Sequence, residues 1–145
     1  MSRSGCSDMS RSGYSDDLEQ WALIRWRGAV ASSIRGARGQ ALLKELLAAL
    51  DAMPEKKLIA SELEEDGAVC ALGALGKMRG MNMAELDAWD HETVAAEFGI
   101  AHALACEIMW ENDYGVYRCT LEYRWEHMRR WVQAQIRADE NIGAP

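Results

Sequence analysis

The sequence has few residues that interrupt helices and few of the motifs that mark familiar chemistry. It holds two prolines and one phenylalanine in 145 residues, and no apolar run approaches the roughly 20 residues that a membrane-spanning helix needs. Its three histidines form no HxH or HExxH pattern, and no glycine-rich phosphate loop of standard spacing is present. We therefore predict no membrane interaction, no metal site and no cofactor.

Cysteine is present, but never in the paired spacing of a metal finger or a redox motif. The four cysteines are Cys6, Cys70, Cys106 and Cys119. No apolar stretch near the first residue has the pattern of a secretory signal. Because isolated thiols are typical of reducing compartments, we expect a cytoplasmic protein with free cysteines.

Acidic residues outnumber basic ones, and the excess is concentrated in the middle of the chain. The net charge is −7 overall, with +3 over residues 1–44, −11 over 45–113 and +1 over 114–145. Such a middle region would repel nucleic-acid phosphates, so direct DNA binding is not expected. It is either an ordinary solvated surface or a face offered to a basic partner.

The first residues are a repeat, "MSRSGCSD" followed by "MSRSGYSDD", with little apolar surface to bury. We predict a disordered tail over residues 1–16, and Met9 is as good a translation start as the first methionine. The length fits a single domain. We assign an α-helical domain to residues 17–138 and a C-terminal tail to 139–145.

Apolar periodicity predicts several helices. Residues 18–35 and 39–52 each carry an apolar stripe at helical spacing, with Gly36 and Pro54 as terminators. A shorter helix is expected over residues 69–79.

The second half of the chain has clear capping signals. Asp90 precedes "HETVAAEF" and Gly99 follows it, which predicts a capped helix and its left-handed end. A further helix should run to about Asn112. Thr120 should cap the last helix, whose apolar stripe runs from Leu121 to Ile136.

The segment 57–69 is ambiguous. It could continue as helix, or form a hairpin around an acidic Asp66-Gly67 turn, and we favour the hairpin or an irregular connector. The expected fold class is mainly α: a compact, bundle-like globule of about four to six helices with one short β-hairpin near 57–69.

The stretch "TVAAEFGIAHALACEIM" is typical of a helix-turn-helix. A DNA-reading helix needs basic flanks, however, and no lysine or arginine occurs from 80 to 117. We interpret the segment as a packing unit.

Six tryptophans are many for this length. We expect core packing for most of them, with a stacking pocket for a nucleotide or an interface hot spot as alternatives. The basic and acidic segments on either side would supply charged contacts to a ligand or partner. The residues that we single out for such contacts are Trp21, Arg25, Arg27, Arg35, Arg38, Glu62, Glu64, Glu65, Asp66, Trp110, Asn112 and Asp113.

Cys70 begins the run "CALGALG" and raises the question of catalysis. Its predicted place at a helix N-terminus would favour a reactive thiolate. Its apolar neighbours favour burial instead, and no histidine is nearby in the sequence. We therefore favour a packing role for Cys70 and close helix contact at Gly73 and Gly76, and keep a catalytic thiol as an alternative.

The segments "WALIRWRGAV", "CALGALG" and "RWEHMRRWV" resemble a family of uncharacterised small phage and prophage proteins. A "CALGAL" segment followed by a W-x-N-D segment, here Trp110 to Asp113, also resembles other small bacterial and phage proteins. The resemblance implies a mobile-element setting in the cytoplasm of a host bacterium, and no activity. It also implies that Cys70 and the Asn112-Asp113 pair lie in one structural neighbourhood.

Our leading expectation is a non-enzymatic phage or prophage accessory protein. It would bind and modulate a host protein with a basic surface, in counter-defence as an anti-CRISPR-like or other immune inhibitor does. One alternative is a small-molecule or nucleotide-signal sponge, and another is a cysteine hydrolase that uses Cys70. A homo-oligomer is compatible with each of these.

Overall fold

The computed structural model describes residues 20–114 and 118–136 of the chain. Over these ranges the chain is mainly helical, with six helices and one two-stranded antiparallel sheet. None of these helices is both long and apolar enough to traverse a bilayer. The elements are α1 Gln20–Arg35, α2 Ala37–Ala52, β1 Glu64–Glu65, β2 Ala68–Val69, α3 Ala71–Met78, α4 His91–Phe98, α5 His102–Asp113 and α6 Leu121–Gln135.

Helix α2 lies at the centre of the packing, with α3 and α6 against it. Its leucines recur at helical spacing, and Leu43, Leu46 and Leu50 have no exposed surface. Burying each such side chain contributes about 1.5–3 kcal/mol. The predicted helix 39–52 is confirmed, and it begins two residues earlier than expected, after the extended Gly36.

The predicted capping signals are confirmed. The Thr93 amide donates to Asp90 Oδ1 at 3.3 Å, and the Tyr123 amide donates to Thr120 Oγ1 at 3.0 Å. Gly99 ends α4 in the left-handed region with φ of 73°, where a side chain would be strained. These bonds satisfy amides that have no partner within the first turn of a helix.

The helix-turn-helix pattern is a packing unit, because its apolar residues face the core. Val94 and Ile108 are fully buried and Ile100 nearly so. Helices α4 and α5 pack on each other, and α5 also contacts α1, α3 and α6.

The hairpin expected near 57–69 is present in the form predicted. Glu64 pairs with Val69, and Glu65 with Ala68. The turn residues Asp66 and Gly67 have φ of 51° and 87°, the positive values that a type I′ turn needs.

Three expectations about packing are wrong in detail. Leu121 is 41% exposed instead of facing the core, while Arg124 is buried. None of the tryptophans is fully buried: Trp21 is exposed and the other five are half-buried, of which Trp125 and Trp131 pack against the core. Gly73 and Gly76 do approach other chain segments closely, but they meet Leu63 and Met83 of the connecting segments instead of a helix.

Parts of the predicted domain division lie outside the described residues. These are the tails 1–16 and 139–145 and the two ends of the 17–138 domain. The described part of that domain has one shared hydrophobic core, to which every helix from α2 to α6 contributes.

Candidate functional site

The connecting segment between α2 and α3 is held to the end of α5 by Asn112. The amide of Ala71 donates to Asn112 Oδ1 at 3.1 Å, and Asn112 Nδ2 donates to the Ile59 carbonyl at 2.9 Å. The same Nδ2 donates to Asp113 Oδ1 at 2.8 Å. Because Asn112 is 1% exposed, these bonds replace all the water that its amide would otherwise contact.

Asp113 extends this contact by one residue. Its Oδ1 accepts a hydrogen bond from the Ser61 amide at 3.0 Å. Burial raises the pKa of the Asp113 carboxyl above its usual value, and the hydrogen bonds from Ser61 and Asn112 and the charges of Arg124 and His91 partly offset that rise. We call Asn112 and Asp113 the polar clamp, since together they bind the backbone at Ile59, Ser61 and Ala71.

Arg124 supports the polar clamp from α6. Its Nη1 donates to the Asn112 carbonyl at 2.7 Å. This carbonyl lies in the last turn of α5, where backbone carbonyl groups have no hydrogen-bond partner within the helix. Sequence reasoning missed Arg124 and the buried His91, because burial of a polar side chain depends on tertiary contacts that a local pattern does not show. Arg124 is one of several charged residues of α6, so no separate signal in the sequence indicated its burial.

Cys70 lies in the same neighbourhood, as the resemblance implied. It caps α3, where its Sγ accepts from the Gly73 amide at 3.4 Å. The side chain is fully buried, and this burial raises the pKa of the thiol to about 12. A thiol with such a pKa is protonated at neutral pH and is a poor nucleophile. The geometry therefore favours the packing role over the catalytic one.

Gly73 allows the connecting segment to lie directly on α3. A Cβ at this position would collide with the Leu63 carbonyl, and the Cys70 amide donates to that same carbonyl at 3.2 Å. Backbone-to-backbone approach of this kind is available only to glycine.

The segment that the polar clamp holds includes an acidic hairpin, which we define as residues 62–69. This hairpin is exposed to solvent. Glu62, Glu64, Glu65 and Asp66 are all exposed. Glu64 lies 3.6 Å from the ammonium group of Lys77. The acidic candidates from the sequence are thus brought together on one projecting element.

A groove of about 690 Å³ opens beside the acidic hairpin, between the end of α2, α3 and the start of α6. This size is within the range of small-ligand and anchor-residue pockets, about 300–1,000 Å³. Sequence reasoning did not find it. Its lining is mostly apolar: Ala49, Ala52, Met53, Pro54, Ile59, Gly67, Ala68, Val69, Ala74, Met78 and Leu121, with Glu55, Lys57 and Lys77.

Carboxylates border the groove on several sides. Glu55 is in its lining, and Glu122 lies 3.9 Å from the lining residue Lys57. Glu65 is the cross-strand partner of the lining residue Ala68, so the two share a face of the hairpin. The lining itself holds two lysines and one carboxylate. Glu122 and Glu64 pair with those lysines, which leaves Glu55 and Glu65 without an ion-pair partner among the described residues.

The basic candidates lie elsewhere. Arg25, Arg27, Arg35 and Arg38 are exposed on α1 and at the start of α2, as is Trp21. The groove lies at the opposite end of α2, near Ala49 and Ala52. The structure therefore does not combine these arginines with the acidic hairpin within one molecule.

Trp110 belongs to neither group. It lies on α5 just before the polar clamp, and its ring centroid is 6.4 Å from that of Tyr114.

The histidines are dispersed among different partners. His127 Nε2 is 2.8 Å from Glu111 Oε1, and His102 Nε2 is 3.4 Å from Cys106 Sγ. Within residues 20–114 and 118–136, no three His, Cys, Asp or Glu side chains are arranged to hold a metal ion.

No family model matches this chain, and neither does any curated protein or solved structure. The resemblance to phage and prophage proteins therefore stays a prediction.

Proposed function

We propose that this chain is a non-enzymatic accessory protein of a phage or prophage that binds a basic surface of a host protein and modulates it. A defence protein or a nucleic-acid-processing protein has such a surface, so the proposed action is counter-defence, like that of an anti-CRISPR or another immune inhibitor. The observation that carries the proposal is the acidic hairpin standing beside an apolar groove on a rigid support.

A rigid support for the hairpin matters because ordering a contact surface on binding loses entropy, which weakens the binding. The polar clamp removes that cost from the hairpin before any partner arrives. Its bonds to Ile59, Ser61 and Ala71 hold both ends of the segment that carries the carboxylates.

The hairpin charges suit a basic partner. Glu62, Glu65 and Asp66 make no ion pair with any other described residue. Unpaired exposed carboxylates keep their full field, which speeds encounter with a surface of opposite sign.

The groove supplies apolar contact area, which charged groups alone do not. Exposed ion pairs contribute little net affinity, whereas apolar or aromatic anchors that enter a pocket often dominate binding energy. Met78 and Leu121 are exposed at this groove and would lose water contact on binding. A basic surface with one protruding apolar residue fits this combination.

The two alternatives receive less support. A nucleotide sponge would need its arginines around a pocket, and the exposed arginines of α1 lie at the other end of α2 from the groove. Screening nucleotides by thermal shift tests that alternative directly. A cysteine hydrolase would need an accessible thiolate, and Cys70 is fully buried with a raised thiol pKa.

The proposal is tested by affinity capture from bacterial lysate with two matched charge variants. Glu62→Lys/Glu65→Lys reverses the hairpin, and Glu85→Lys/Glu97→Lys makes the same change in net charge at exposed positions outside it. We expect a defined host protein to be retained at about 50 mM salt by the wild type and the control variant, and lost from the hairpin variant.

Purified target should then bind the wild type and the control about equally, with at least about tenfold weaker binding to the hairpin variant. Retention of the same proteins by all three baits, or of none by the wild type, would overturn the proposal.

A further inference from the structure

Within the described part of the chain, helix α1 exposes apolar surface. Trp21 is 65% exposed and Ile24 is 55% exposed. Residues three apart share a face of a helix, so the two side chains form one continuous apolar area, which we call the α1 patch. Gly28 continues this face, and a Cβ placed there would meet nothing within 4 Å. Exposed aromatic patches of this kind commonly mark contact surfaces.

The surroundings of the α1 patch are basic. Arg25 follows Trp21 by four residues, and Arg27 follows Ile24 by three, so each is a surface neighbour of the patch. Helix α1 carries no carboxylate between Gln20 and Arg35. The α1 patch is therefore an apolar area between two cations.

The groove beside the acidic hairpin has the opposite design. Its lining is mostly apolar and includes Glu55, Lys57 and Lys77. Glu122 and Glu64 pair with these two lysines, whereas Glu55 and Glu65, the cross-strand partner of the lining residue Ala68, have no ion-pair partner among the described residues. An apolar area between two arginines and a mostly apolar groove with two unpaired carboxylates complement each other in charge.

One molecule cannot make this contact with itself. Helix α1 leads into the start of α2, whereas the groove lies at the end of α2. A 16-residue helix is roughly 24 Å long, and α1 is packed on α5 and on the start of α2. The complementary surfaces are thus held apart in each copy.

We infer that two copies of this chain associate, with the α1 patch of each seated in the groove of the other. Trp21 is the anchor, and Arg25 and Arg27 face the carboxylates at the groove border. A two-fold arrangement makes this contact twice and closes the assembly, whereas a single head-to-tail contact would propagate into longer chains. This self-association goes beyond the proposed function, and it places a second copy and a basic partner in competition for the same groove.

The experiment is sedimentation velocity over about 5 to about 500 µM protein, a span that covers weak dimers. The wild type should shift from monomer to dimer, and higher salt should weaken the shift. Trp21→Ser should weaken it at least about tenfold, since the anchor is lost. The control Glu85→Lys/Glu97→Lys should leave it unchanged.

Charge reversal on each surface gives the decisive comparison. Arg25→Glu/Arg27→Glu and Glu55→Lys/Glu65→Lys alter exposed residues, and each should be monomeric alone. Their equimolar mixture should form a dimer again, because both contacts then have opposite charges. Melting curves confirm that each variant folds.

Three results would overturn the inference: a monomeric wild type throughout the range, self-association that survives Trp21→Ser, or a mixture of the two reversed variants that stays monomeric. None of these results bears on capture of a basic host protein. Failure of the self-association and failure of the proposed function are therefore separate outcomes.

Discussion

The segment between α2 and α3 is attached to the rest of the fold more firmly than helix α1. Their secondary structure alone would suggest the opposite. The segment has only two-residue strands, yet buried polar groups hold it at Ile59 and Ser61 and at Ala71, the first residue of α3. Helix α1 runs for 16 residues, and none of its residues 21–35 is buried. Regular hydrogen bonding within an element therefore says little about how firmly it belongs to the fold. Contacts to the rest of the molecule decide that.

The largest effect is expected when the polar clamp is removed. Asn112→Ala leaves the Ala71 amide and the Ile59 carbonyl buried without partners, which should lower the free energy of unfolding by about 2–4 kcal/mol. Urea unfolding measures this. A loss below about 1 kcal/mol would mean that the segment is held by apolar contacts instead.

Replacing two glycines by alanine should change the free energy of unfolding in opposite directions. Gly73→Ala drives a Cβ into the Leu63 carbonyl and should cost about 1–3 kcal/mol. Gly28→Ala in α1 meets open space and should stabilise by about 0.5–1 kcal/mol through helix propensity. Melting curves of both variants measure the two changes in stability. Changes in the same direction would refute the comparison.

The contribution of Asp113 to the stability of the protein should be smaller and should depend on pH. Burial raises the pKa of its carboxyl in the folded protein, so the native state binds more protons than the unfolded state above the ordinary pKa. Stability should therefore fall as pH rises from about 4 through the folded pKa and then level off. Asp113→Asn should lose this component, and Glu97→Gln, at an exposed position, should retain it. If the wild type instead gained stability over this range relative to Asp113→Asn, the folded pKa would be depressed.

Cys70 should show a modest structural effect and no reactivity. Cys70→Ala removes the cap of α3, at a cost of about 1 kcal/mol. A thiol reagent at pH 8 should label the half-buried Cys119 before Cys70, as peptide mass spectrometry would reveal. Rapid labelling of Cys70 in the native protein would revive the catalytic alternative.

The smallest effect is expected on the exposed face of α1. Trp21→Ser and Ile24→Ser remove side chains that are mostly in water, so each should change the free energy of unfolding by less than about 0.5 kcal/mol. Thermal unfolding at low protein concentration measures this without self-association. A loss above about 1 kcal/mol would mean that α1 is as well integrated as the clamped segment.

Sequence reasoning succeeded where the determining residues are neighbours in the chain. Asp90 and Thr93 are three apart, Gly99 acts on its own helix, and Asp66-Gly67 forms a turn by itself. Such local preferences do not depend on the rest of the fold.

The remaining features depend on residues that only the tertiary structure brings together. The groove draws its lining from the end of α2, the hairpin, α3 and the start of α6. The support from Arg124 comes from a helix whose apolar stripe predicted Leu121 as the buried neighbour. Core packing of the tryptophans was expected from their size, but whether a large side chain is covered depends on which helix packs over it.

The polar clamp also has a consequence for the order in which the chain becomes structured during synthesis. Its bonds join residues that are 41, 52 and 53 positions apart, and Asp113 leaves the ribosome only after α1, α2 and α3 have all been made. Until then the amides and the carbonyl that it binds lack this partner, and the hairpin lacks its anchor on α5. Ribosomes add about 5–20 residues per second, so this interval lasts on the order of seconds. Closing a chain loop of that size is itself much faster than this. The pace of translation therefore sets when the acidic surface is first anchored to the rest of the fold.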